Sequence, residues 1–196
     1  PLNHSSIRRC LEAARANARA VRTALTLEAW EAINGAWLDV QKYGTRLEDR
    51  DQLGTILETV KASMLAFDGA AHRTMLRGDA YWFIMLGSAV ERADNTARLV
   101  DVKFHAVQSD FYGAASEKDQ EYDFYHWSAI LRSVSGFEVY RKVYRDVIRP
   151  ERVAELLILR PDMPRSLHAS LNEVVNNLAM VMTDQSSETH RRAGKL

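Results

Sequence analysis

Between residues 87 and 105 the chain reads Gly87-Ser88-Ala89-Val90-Glu91-Arg92-Ala93-Asp94-Asn95-Thr96-Ala97-Arg98-Leu99-Val100-Asp101-Val102-Lys103-Phe104-His105. Glu91, Asp94, Asn95, Arg98, Asp101 and His105 are side chains able to move a proton, bind an anion or hold a charged group. On a helix of about 100° per residue these six fall within about a third of the circumference. Arg92 points elsewhere, alongside Met85, Thr96 and Lys103. Trp82, Leu86, Ala89, Ala93, Val100 and Phe104 form a separate apolar sector. The charged run follows Tyr81-Trp82-Phe83-Ile84-Met85-Leu86, which reads as buried. Part of the polar set is therefore expected inside or at the edge of a core, where polar groups have to be paired.

Three chemistries suit this pattern. In the first, the seam lines a cleft, with Glu91 as acid or base and Arg98 or Arg92 as the anion-binding group, which needs a concave pocket. In the second, it is a ladder of intrahelical pairs, Asp94 with Arg98 and Asp101 with His105, each stabilising the helix by about 0.2–0.5 kcal/mol. In the third, Glu91 bridges to an arginine row on the first helix, through Arg15 or Arg19.

Other chemistries find less support. A carboxylate-bridged metal centre in a helical bundle uses two Glu-x-x-His units and further glutamates. This chain has no Glu-x-x-His; Asp123-x-x-His126 is the nearest approach, so no metal and no cofactor are expected. Gly-x-Ser-x-Gly, a phosphate-cradling glycine loop and a Cys–His signature are also missing. His4, His72, His105, His126, His168 and His190 are scattered without a telling context. Tyr122, Phe124, Tyr125 and Trp127 around His126 read as a helix start packed on the core rather than a stacking surface. Arg8, Arg15, Arg19 and Arg22 form one basic row, and Arg141, Lys142 and Arg145 a second cluster. Neither carries a nucleic-acid-binding motif, so no nucleic-acid partner is expected.

Positioning such a seam requires long helices, and the composition supplies them. The 26 Lys and Arg balance 26 Asp and Glu, so no overall field draws the chain to polyanions. The single cysteine, Cys10, excludes a disulfide framework and favours a reducing, cytoplasmic setting. It falls on an apolar stripe with Ile7, Leu11 and Ala14 and is expected in the core. No apolar run approaches the ~20 residues of a membrane span.

The 9 Gly and 4 Pro fall at plausible helix ends and strand-like alternation is nearly absent. About seven helices are predicted: from Ser5 or Ser6 to Thr23; from the N-cap Thr26 to near Gly44; from Asp51 to Arg77; from Asp79 to about Gln108; from Tyr122 to Asp146; from Pro150 to before Pro161; and from Pro164 to near Thr183. Ser109 to Glu121 reads as a loop. The fold class is all-α, an antiparallel helical bundle forming one domain over residues 1–183, with a flexible tail over 184–196.

The run from Leu86 to Val102 resembles the bacterial alpha-E family, helical domains named for a Glu-Arg motif. The opening does so as well, through Ser6-Ile7, Ala14-Arg15-Ala16-Asn17-Ala18-Arg19-Ala20-Val21-Arg22, Trp30-Glu31 and Asn34. The resemblance places the named motif at Glu91 and Arg92 and its extension at Asp94, Asn95, Arg98 and Asp101. Family members also carry an earlier Glu-Arg helix that has no counterpart here, which implies a C-terminal fragment or a truncated member. The resemblance further implies an association with ATP-grasp-type ligases and transglutaminase-like peptidases, in a setting of ATP-dependent amide or peptide bond formation. The resulting expectation is an accessory or binding module for such a protein, self-association being a further expectation. The alternatives are an enzyme of that system with Glu91 as acid or base, and a structural domain whose motif locks helices together.

Overall fold

The computed structural model describes residues 3, 6–43, 50–110, 117–182 and 193–194, with side chains described for all of these except 50, 103–110 and 117–123. Every regular element among them is helical, as the sequence predicts, and the helices number eight rather than seven. They are α1 (Ile7–Ala20), α2 (Leu27–Gln41), α3 (Arg50–Thr74), α4 (Asp79–Asp110), α5 (Glu117–Ser133), α6 (Phe137–Tyr144), α7 (Pro150–Ala154) and α8 (Leu167–Met180). The expected loop over 109–121 shrinks from both ends, and 111–116, like nearly all of the expected tail, lies outside the described residues. The chain divides into two compact units, Pro1–Tyr81 and Trp82–Leu196.

In the first unit the caps fall where the side-chain chemistry demands. Ser6 Oγ accepts from the Arg9 amide and Thr26 Oγ1 from the Ala29 amide, each satisfying one of the free N–H groups that open a helix. Thr26 Oγ1 also lies 2.7 Å from Thr74 Oγ1, tying the start of α2 to the end of α3. Leu11, Ala36, Val40 and Ile56 form a core from α1, α2 and α3, with Trp37, Tyr43, Val60 and Met64 against it. Ala29 and Ala36 are wholly buried, and their small size lets the helices approach closely. The α1 stripe is narrower than expected. Leu11 and Ala18 are buried, whereas Ile7, Ala14 and Cys10 are exposed. The expected burial of Cys10 is thus corrected: α1 packs on α2 with a narrow stripe, and Cys10 lies to one side of it.

The second unit is built around Val100, Trp127, Leu131, Val134, Tyr140, Val153, Leu156, Leu157 and Met163. Trp127 goes to this core, as the aromatic run suggests, while Phe124 and Tyr125 stay exposed, edge to face at 5.8 Å. The helix predicted over 122–146 is in fact α5 and α6. Ser135 takes a left-handed conformation (φ 54°), the Ser135 amide donates to the Arg132 carbonyl, and the Gly136 amide donates to the Leu131 carbonyl. This paired hydrogen-bond pattern ends a helix by capping its last carbonyls. Tyr140 then anchors the turn after α6: its hydroxyl donates to the Val147 carbonyl and accepts from the Arg149 amide.

Pro150 opens α7 after an extended Arg149, as the residue before a proline prefers. The helix continues into a wider π turn over Glu155–Leu159. The last helix starts at Leu167 and not at Pro164, because Ser166 is its N-cap: Ser166 Oγ accepts from the Ala169 amide at 2.9 Å. Residues 160–166 are therefore a connector. Met163 and Ser166 within it are almost wholly buried. One further correction concerns the run before the motif: Tyr81 is buried but Phe83 is 60% exposed.

Candidate functional site

The long helix α4 carries the motif, and its sectors face different surroundings. Ala89, Thr96 and Val100 are buried, and Arg92 is half-buried. Thr96 lies one turn after Arg92, so the two project from the same face. Thr96 Oγ1 donates to the Arg165 carbonyl at 2.8 Å. Arg92 Nη1 lies 2.9 Å from Glu173 Oε2 on α8 and 3.4 Å from the Pro164 carbonyl. Two adjacent carbonyls of the connector are thus held by two side chains of α4, and a carboxylate of α8 neutralises the guanidinium.

Glu91, Asp94, Asn95, Arg98 and Asp101 are exposed. The expectation that this set reaches into the core is corrected; the polar groups turned inward are Arg92 and Thr96. Wheel geometry separates the two sets, but which one turns inward depends on where Glu173 and the connector lie. The ladder of intrahelical pairs is present in part. Arg98 Nε is 2.7 Å from Asp94 Oδ2, and Asn95 Nδ2 donates to Glu91 Oε1 at 3.3 Å. The hydrogen bond that Arg98 donates to Asp94, and then the Asp94 charge, raise the Arg98 pKa. The His105 side chain, and with it the Asp101–His105 pair, lies outside the described residues, as does Asp123 of the Asp123-x-x-His126 pattern. On α1, Arg15 Nε donates to Asn34 Oδ1 of α2 at 2.7 Å, and Arg19 is exposed.

Sequence reasoning overlooked Glu173 and the connector carbonyls, for they carry no motif. It also overlooked a second Glu-Arg pair, Glu151-Arg152 at the start of α7, whose two letters are visible in the sequence. The second pair has the same division. Glu151 is exposed, while Arg152 is half-buried with Nη1 2.8 Å from Asp146 Oδ2. Asp146 also accepts from the Val147 amide at 2.7 Å. This amide bond, with the guanidinium groups of Arg149 and Arg152, holds the Asp146 carboxyl below its usual range. The Arg152 guanidinium stands 5.4 Å from the Tyr144 ring, whose hydroxyl is pushed up by burial and then by the Glu155 carboxylate.

Among the described residues no group of three or more His, Cys, Asp or Glu is arranged to hold a metal ion, and no helix is long and apolar enough to cross a membrane.

An all-helical chain with a Glu-Arg pair on its longest helix, the Arg engaged internally and the Glu exposed, defines a class of helical domain rather than a known active-site geometry. Residues 1–196 match Alpha-E, described as a predicted alpha-helical domain with a conserved ER motif, and the chain belongs to that family. No curated protein matches the chain, nor does any solved structure.

Proposed function

We propose that this chain is a helical binding module in which the motif divides its work between two faces of α4. The observation that carries this reading is the opposite fate of adjacent residues: Arg92 is bound to Glu173 and the connector, whereas Glu91 is exposed beside Asp94, Asn95, Arg98 and Asp101. The inward face stabilises the unit, as the helix-locking alternative requires of Arg92 and Thr96. The outward face is exposed and can meet a protein. An acid–base role for Glu91 needs an enclosed site that excludes water. The exposure of Glu91 favours docking over that role. The family resemblance supplies the partner class, an ATP-grasp-type amide or peptide ligase or a transglutaminase-like protein, working in a reducing cytoplasm with no cofactor held by this chain.

The test is recovery of such a ligase from the native host on immobilised protein. Wild type, Glu91→Gln and Arg98→Ala are compared, all verified as folded by circular dichroism. Loss of the ligase from the two variants supports docking through the outward face. Equal recovery on all three moves the contact elsewhere, and ligase activity lost only with Glu91→Gln in an intact complex returns the residue to catalysis.

A further inference from the structure

The proposed function leaves unused the first basic row of the sequence, on α1. Arg8, Arg15 and Arg19 fall within about 40° of one another on that helix. They lie beside Leu11 and Ala18, the stripe that packs on α2. Two contacts join the row to α2. Arg15 Nε donates to Asn34 Oδ1 at 2.7 Å, and the Arg22 guanidinium, in the turn after α1, stands 5.5 Å from the centre of the Trp30 ring. Trp30 and Asn34 are one turn apart, so α2 meets the row with a single face. Leu27 and Leu38 share about 80° of α2 with them and are exposed. Among the described residues Arg8, Arg15, Arg19 and Arg22 make no ion pair, although all but Arg19 are half-buried. The adjacent acid on α1, Glu12, is turned away to Arg9, 2.7 Å from its Nη1. On α2 the exposed Glu31 lies beyond Leu38, at the outer edge of the seam. Four guanidiniums thus face one carboxylate, over a surface that also shows two leucines. A cation partly withdrawn from water and without a counter-charge attracts an incoming carboxylate more strongly than a fully solvated one.

We propose that the seam between α1 and α2 binds an acidic amphipathic helix of a partner protein. Charge selects its carboxylates, which meet Arg8, Arg15 and Arg19, while Leu27, Leu38 and the Trp30 ring select an apolar flank beside them. Arg8 and Arg15 are seven residues apart, about 10.5 Å along the axis, and Arg15 and Arg19 are one turn apart. Acidic residues at positions i, i+7 and i+11 of a helix lying along α1 repeat that spacing, the periodicity by which a helix seats in a groove. The phosphates of a nucleic acid would match the cations but leave Leu27 and Leu38 without an apolar counterpart. The inference is independent of the α4 reading, since it concerns other helices and other side chains.

The experiment is fluorescence anisotropy of a labelled synthetic helix, glutamates at that spacing with leucines beside them, titrated with the full chain at low salt. Saturable binding is expected, weakened about tenfold in Arg8→Glu/Arg19→Glu and in Leu27→Ser/Leu38→Ser. Arg8 and Arg19 make no hydrogen bond or ion pair among the described residues, and Leu27 and Leu38 are exposed, so both variants should keep the circular dichroism of the wild type. Two control peptides need no variant: replacing the glutamates by glutamine, or the leucines by serine, is expected to weaken binding to wild type by a similar factor. Wild type that does not bind the acidic helix overturns the proposal. So does a glutamine peptide bound as tightly, or binding that both folded variants retain. A single-stranded oligonucleotide that binds more tightly and is lost in Arg8→Glu/Arg19→Glu overturns the choice of a peptide and makes the seam a nucleic-acid site.

Discussion

Glu91 and Arg92 are neighbours in sequence and opposites in environment, because successive residues of a helix point about 100° apart. The Arg92 contact is partly solvated, so its strength is expected to be modest. A double-mutant cycle of Arg92→Ala and Glu173→Ala in thermal or urea unfolding should give a coupling of about 1 kcal/mol, between the values of exposed and buried pairs. Arg92→Lys should not restore it fully, since the shorter side chain does not place its ammonium where Nη1 meets both the Glu173 carboxylate and the Pro164 carbonyl. Thr96 is only 2% exposed. Thr96→Val keeps its shape but leaves the Arg165 carbonyl without its donor, which should cost about 1–3 kcal/mol. Glu91→Gln should change stability by less than about 0.5 kcal/mol, as expected of an exposed side chain away from such features. A large loss with Glu91→Gln would place that residue in the fold after all.

At the scale of elements, the junction of α5 and α6 shows how a helical pattern can conceal a break. Trp127, Ile130, Leu131, Val134 and Phe137 keep helical spacing across it, so the apolar pattern reads as one helix. The Gly136 amide nonetheless folds back on the Leu131 carbonyl, and Ser135 pays the steric cost of a left-handed backbone. Ser135→Gly removes a Cβ from that conformation and should stabilise the chain by about 1 kcal/mol, seen as a higher urea midpoint with unchanged slope. Gly136 is held for a different reason. A Cβ there would come within 3.2 Å of Val134 Cγ2 and 3.3 Å of Met163 Cε, so the junction packs directly on the connector. Ser6, Thr26 and Pro150 were legible as helix starts because capping and proline rules are local. Ser166 was not, because Pro164 offered an equally local signal and only the connector's burial decides between them.

At the scale of the molecule, acid sensitivity follows from two carboxylates. Asp146 is held below its usual range first by the Val147 amide, and Asp162 by its hydrogen bond from Arg160. A carboxyl whose folded pKa is depressed stabilises the fold above its unfolded pKa, and that contribution is lost as the pH falls through the folded value. The melting temperature should therefore decline as the pH drops through and below the ordinary carboxylate range. Asp146→Asn should flatten that decline while leaving the neutral form folded; an unchanged acid profile would show that the Asp146 contacts do not couple to unfolding.

Helical periodicity, caps and a near absence of strand alternation sufficed to determine the all-α class and most helix boundaries. The run from Leu86 to Val102 sufficed to locate the motif and the family. These are local or periodic properties, set by backbone geometry and by side chains a few residues apart. Periodicity gives the angles between side chains around α4 but not the direction in which the wheel is turned. That was decided by groups 69 to 81 residues away: the Arg165 and Pro164 carbonyls and the Glu173 carboxylate, which draw Thr96 and Arg92 inward and leave Glu91 in solvent.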